Sequence, residues 1–273
     1  MFVHLPQLYK MHKITSISTS ILLSSNPSQS RPLSLPLIPM ESLVRVPRSR
    51  VYHLTTEGIH FTVTVTLKAS SVERWIRAVK RDFLDAAPIK CVGLDCEFTD
   101  PREGRANQRA AVLQLSVASE NLVFQICRAD RVPELLKEFL RDETIRYCSV
   151  AINNDVRMLR YYGIAIPSVY DLQKIIKNPT KNQTPSLYDL ANATIGTKLE
   201  KKKRNNDKKK DKNDDEEEEE VDELIYSWGK VPLSWEQVKY AALDARLGFE
   251  IARRHWHLHG YNSHVDHLNI IDE

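Results

Sequence analysis

Residues 89–98, IKCVGLDCEF, constrain the fold more than any other part of the chain. A nearly continuous apolar run of this kind suits a strand buried on both faces, at the centre of a sheet covered by helices. Two carboxylates, Asp95 and Glu97, nevertheless sit near its end. Acids are normally kept out of such runs because burying an unpaired charge is costly. Two residues apart on a strand, their side chains share one face and Cys96 takes the other. The pair falls at the carboxyl end of the strand, where open α/β sheets place their ligands.

Two further acids interrupt apolar runs. Asp155, in SVAINNDVRMLRYYG, stands in the first turn of a predicted helix, after a strand predicted to end at Ile152. Asn153 or Asn154 is the expected cap. At that position a carboxylate either complements the helix dipole or faces the same point as the first pair. Asp244, in EQVKYAALDARLGF, lies mid-helix among Ala241, Ala242, Leu243, Ala245 and Leu247. Small residues around it permit close packing on a sheet. Tyr240 is four residues earlier, one turn away on the same face. Four carboxylates gathered in this way suit hard cations with oxygen ligands, Mg²⁺ or Mn²⁺. Two such ions about 3.5–4 Å apart stabilise both the attacking and the leaving oxygen of a phosphoryl displacement. A tyrosine hydroxyl beside them can orient the attacking water.

The rest of the chain supplies a frame for these residues. Residues 51–67 alternate with β-branched side chains about a Glu57-Gly58 turn and predict a hairpin. A helix with a Ser cap follows over 70–84. Strands are predicted over 110–119 and 122–129, a helix over 132–142 and a strand over 145–152. A helix over 154–163 closes on Gly163, a short strand runs into a helix over 168–175, and a helix covers 186–196. A long helix over 233–256 is opened by Ser234 and Glu236. Three strands in a meander, then alternating helices and strands, indicate an α/β domain with three layers and a mixed central β-sheet flanked by helices.

With 273 residues and 42% hydrophobic content, the chain suits one sizeable domain with extensions. A net charge of +3 does not by itself identify a polyanion-binding protein. Cys91, Cys96, Cys127 and Cys148 form no C-x-x-C pair and read as buried reduced thiols. No apolar stretch reaches the roughly 18 residues that span a bilayer, so no membrane partner is expected. Residues 1–40 hold eight serines and five prolines, with no acid before Glu41. They read as a disordered tail, an organelle transit peptide, or a segment upstream of a true start at Met40. The stretch 201–212 carries eight Lys/Arg against two Asp, and 214–223 carries nine Asp/Glu. This charged insertion, residues 200–223, is expected to be disordered. Its basic half also fits a nuclear-localisation signal, which points to nucleus or cytoplasm against the organelle reading of the tail. His255, His257 and His259 read as an exposed helix end.

Together these motifs resemble the DEDD superfamily of 3′–5′ exonucleases, in its tyrosine-bearing branch. LDCEF matches the first motif, NNDVRML the second and YAALDA the third. The segment WGKVPLSWEQVKYAALDARLGF is close to exonuclease domains of the Werner-syndrome-protein type, with ribonuclease D a more distant relative. The histidine branch would need its histidine at Lys239. The resemblance covers residues 85–258, after an N-terminal hairpin and helix over 41–84 and before a tail over 259–273. It implies a ribonuclease H-like fold and two divalent cations. It assigns Asp95, Glu97 and Asp244 to direct metal binding, Asp155 to an assisting role partly through water, and Tyr240 to positioning the nucleophile. The implied substrate is a single-stranded 3′ end of DNA or RNA, released as nucleoside monophosphates, with Phe98 and Leu159 expected to hold the terminal base. An inactive binding module on the same fold is the alternative, although such relatives usually lose a carboxylate and this chain keeps all four. The chain departs from the family in having Ala151 where a glycine is usual and in the charged insertion. It has no G-x-x-x-x-G-K-[ST] loop, so a stand-alone exonuclease domain is expected.

Overall fold

The computed structural model describes residues 48–56, 59–100, 108–199, 227–259 and 261. The expectations for residues 1–40, the Glu57-Gly58 turn, the 200–223 insertion and most of the C-terminal tail lie outside them. Among the described residues, seven strands form one sheet: β1 (Ser49–Thr56), β2 (Ile59–Thr66), β3 (Lys90–Phe98), β4 (Ala110–Val117), β5 (Glu120–Phe124), β6 (Ile145–Ser149) and β7 (Val169–Asp171). Their order is β1-β2-β5-β4-β3-β6-β7. The meander β3-β4-β5 is antiparallel, whereas β6 joins β3, β7 joins β6 and β2 joins β5 in parallel. The sheet is therefore mixed, as the alternating pattern requires. The helices are α1 (Ala69–Val79), α2 (Glu134–Arg141), α3 (Asn153–Leu159), α4 (Leu172–Ile175), α5 (Leu187–Ile195) and α6 (Trp235–His255). Among the described residues, no helix is long and apolar enough to cross a membrane.

Both faces of the sheet are packed with apolar side chains. Leu94, Leu113, Leu115 and Leu122 pack with Val72 and Ile76 of α1 and Leu136 of α2. On the face that carries Asp95, Val63, Val112 and Val123 pack with Val238, Ala241 and Ala242 of α6. Helix α6 lies unusually close to the sheet. A Cβ at Gly93 would stand 2.0 Å from the Ala245 carbonyl, and one at Gly248 would stand 3.0 Å from the Cys148 carbonyl. Gly93 precedes Asp95 by two residues and Ala245 follows Asp244, so this contact brings the first and third motifs together.

Several elements differ from expectation. The N-terminal hairpin, expected to pack on the domain, joins its sheet by pairing β2 with β5. Helix α1 opens at Ala69, not at a serine cap, because Asp130 accepts the Ala69 amide at 2.9 Å. The strand predicted over 122–129 stops at Phe124, and Ile126–Arg128 make a 3₁₀ turn. The strand before Asp155 ends at Ser149, and neither asparagine caps α3; Ile152 precedes the helix without a side-chain cap. The chain turns there through Ala151, whose φ is 56°, in the left-handed region that favours glycine. The usual glycine of the second motif thus has a backbone reason, and alanine adopts the same conformation here. Ser234 does cap α6, in a capping box with Gln237. Tyr261, expected in a tail, is buried and its hydroxyl bonds the Cys91 amide and the Ile89 carbonyl at 3.0 and 2.7 Å. The four cysteines are free thiols, three buried and Cys127 half-buried.

Candidate active site

The carboxyl ends of β3 and β6 open into a cleft lined by Asp95, Glu97, Asp155, Tyr240 and Asp244, all five residues singled out from the sequence. Oxygens of Asp95, Glu97 and Asp244 lie within 4.8 Å of one another. Asp155 lines the same cleft from the first turn of α3 but stands outside this tight group. Glu97, Asp155 and Asp244 are all buried, and Asp95 is half-buried. Cys96, between the first two acids, packs into the hydrophobic core, as the alternation of a strand demands.

Crowded, buried carboxylates resist ionisation, and the site shows it. Burial raises Asp95 well above the ordinary carboxylate range, and the Asp244 charge adds to it. Glu97 is raised by burial and then by Asp95, Asp244 and Asp155. Asp155 is raised by burial and then by Asp95 and Asp171. Asp244 is pushed up by burial to about 7, against hydrogen bonds from Tyr188 and Tyr240 that lower it. Burial and the Asp244, Glu97 and Asp95 charges raise the Tyr240 hydroxyl, so it stays protonated. A site with only oxygen donors, buried and mutually repulsive, fits hard cations such as Mg²⁺ or Mn²⁺.

Three contributors were absent from the sequence reading. Tyr188, on α5, donates its hydroxyl to Asp244 Oδ1. Its signal in the sequence was a tyrosine among apolar helix residues, whose buried hydroxyl needs a partner. Asp171 accepts the Ala151 amide at 3.2 Å and the Gln173 amide at 3.1 Å, fastening the turn that delivers α3. Gln114 pairs with Asp95 across β3 and β4, is fully buried, and neither polar atom of its side chain is bonded. Of the two expected base contacts, Phe98 lines the cleft. Leu159 does not: it is fully buried in the core, and Leu187 and Val150 supply apolar wall instead. Leu159 shares a helix face with Asp155, but one turn further along that face meets the sheet. Among the described residues, the histidines near the end of α6 take part in no group suited to a metal ion.

The sequence model of the 3′–5′ exonuclease family matches residues 68–256. A mouse bifunctional 3′–5′ exonuclease/ATP-dependent helicase WRN is 28% identical over 185 residues, 67% of this chain and 12% of that protein. A 3′–5′ exonuclease of Arabidopsis thaliana is 28% identical over 177 residues, 64% of this chain and 53% of that protein. The chain thus spans about half or less of the length of these relatives. The solved catalytic core of RRP6 from Trypanosoma brucei has a TM-score of 0.53 at 17% identity, covering 74% of this chain and 48% of that one. That likeness concerns the fold, which is ribonuclease H-like.

Proposed function

The chain belongs to the 3′–5′ exonuclease family, and from that premise we propose that it removes nucleoside monophosphates from the 3′ end of single-stranded DNA or RNA with two divalent cations, Mg²⁺ or Mn²⁺. The observation that carries this reading is the convergence of Asp95, Glu97 and Asp244 oxygens within 4.8 Å in a buried cleft. Such cations, when bound, neutralise charge on the scissile phosphate and favour ionisation of a water.

The chain's own residues do the rest. Asp95, Glu97 and Asp244 would hold the cations, and Asp155, which lines the same cleft, would assist. Tyr240 touches Asp244 and keeps its proton, so it orients the attacking water by hydrogen bonding and does not remove its proton. Tyr188 also donates to Asp244, at Oδ1, and so helps to orient the carboxylate. Phe98 and Leu187 give the terminal base apolar walls.

The test is degradation of 5′-labelled single-stranded DNA, recessed duplex and RNA with Mg²⁺ or Mn²⁺, beside a Glu97→Ala control. A ladder shortening from the 3′ end, lost with chelator and in the control, is expected. Folded protein that yields no ladder on any substrate would refute catalysis and leave a binding module.

A further inference from the structure

Tyr161 keeps 61% of its surface exposed, the largest share among the exposed large hydrophobic side chains of the described residues. It is not loose. Arg109 donates to its hydroxyl at 3.0 Å, and the guanidinium lies 4.9 Å from the ring centroid. Tyr162 braces it edge-on, with ring centroids 5.2 Å apart. A rigid, exposed aromatic ring backed by a cation is unusual on a surface where apolar rings are normally covered.

Its place in the fold suggests a use. Arg109 immediately precedes Ala110, the cross-strand partner of Phe98 on the cleft wall. The Tyr162 hydroxyl donates to the Ala110 carbonyl at 2.6 Å, clamping the end of α3 against the start of β4. Tyr161 follows Asp155 by six residues, in the 3₁₀ turn Arg160–Tyr162 that ends α3, about 10 Å further along the axis at 1.5 Å per α-helical and 2.0 Å per 3₁₀ residue. That is roughly three stacked nucleotide steps of about 3.4 Å. Arg157, four residues before Tyr161, is exposed on the same face, and Arg160 is exposed beside it. Single-stranded nucleic acid is recognised by such surfaces, in which aromatic rings stack bases and cations follow the backbone.

We propose that Tyr161 and Arg109 form a stacking platform for single-stranded nucleic acid, engaging a nucleotide two or three positions in from the 3′ end. The proposal rests on the exonuclease reading for the direction of the strand. A purely structural role explains it less well: Tyr162 already ties α3 to β4, and an exposed cation–π pair adds little.

The test is fluorescence anisotropy with fluorescein-labelled oligothymidylates of two, four and eight nucleotides, in chelator at low salt. Wild-type affinity is expected to rise with length. Tyr161→Ala should weaken octamer binding about tenfold, within the range for loss of one stacked base, and flatten the dependence on length. Tyr161→Trp should restore it, and Arg109→Ala should reduce the salt slope by about one contact. An unchanged octamer affinity in Tyr161→Ala, or failure of tryptophan to rescue, would overturn the platform. The same oligonucleotides with Mn²⁺ separate the two readings. A wild-type ladder with unchanged Tyr161→Ala affinity removes the platform alone. Tyr161-dependent binding without a ladder keeps the platform and removes the nuclease. Neither binding nor ladder removes both.

Discussion

Replacing Asp244 with asparagine should stabilise the metal-free protein at neutral and alkaline pH, although it destroys a residue assigned to catalysis. Asp244 is buried, and its pKa rises from the ordinary 3.8 to about 7. A carboxyl raised in the fold contributes its full stability below 3.8 and loses it as pH climbs through about 7. That interval is worth about 4 kcal/mol, at about 1.36 kcal/mol per pH unit. For a chain of this size it corresponds to roughly 8–16 °C in Tm. Asparagine carries no charge to desolvate and still offers Tyr188 an acceptor. It also relieves Asp95 and Glu97, both of which Asp244 raises. The assay is thermal unfolding of both proteins in chelator from pH 5 to pH 8.5, repeated with Mn²⁺. Wild type should lose stability across that window and regain it with Mn²⁺. The variant should fall less, exceed wild type at pH 8, and respond weakly to the cation. A wild-type Tm that is flat with pH in chelator, or a variant less stable than wild type at pH 8, would refute the idea of repulsive carboxylates awaiting a cation.

Two other substitutions examine the supports of the site. Tyr188→Phe removes the hydroxyl that Asp244 accepts, and calorimetric Mn²⁺ affinity should fall about 10- to 100-fold; an unchanged affinity would mean that α5 does not position the carboxylate. Ala151→Gly should stabilise the fold by roughly 0.5–1 kcal/mol, because alanine at φ 56° carries about 1–2 kcal/mol of strain and glycine returns part of it as unfolded-chain entropy. A lower Tm in that variant would show that the turn before α3 is not held in this conformation.

The features legible in the sequence were those encoded over short distances. The run into Asp95 and Glu97 announced a central strand, and the Ser234 cap with small residues around Asp244 announced a helix pressed on the sheet. Those signals have a period of 2 or 3.6 residues, or a fixed cap spacing. What escaped depends on partners far apart in the chain. Tyr188 meets Asp244 across 56 residues. Asp130 replaces the expected serine cap of α1 across 61 residues. Leu159 was misplaced for a related reason: periodicity shows which residues share a helix face, and only the packed structure shows whether that face meets the core or the cleft.

Several of the places where local rules fail lie around the carboxyl end of β3. Ala151 holds a backbone conformation suited to glycine. Gln114 buries an unbonded amide beside Asp95. Gly93 leaves no room for a side chain under α6. Four carboxylates sit where burial and mutual charge oppose ionisation. A core chosen for stability alone would keep none of these, since each unsatisfied buried group costs about 1–3 kcal/mol. Their concentration around one cleft is the pattern expected of a functional centre, where local consistency is relaxed and compensated elsewhere. A ligand that binds only the folded state adds stability as its concentration rises above its dissociation constant. On the proposed reading, a cation between Asp95, Glu97 and Asp244 would support stability and catalysis together, and chelation should weaken both.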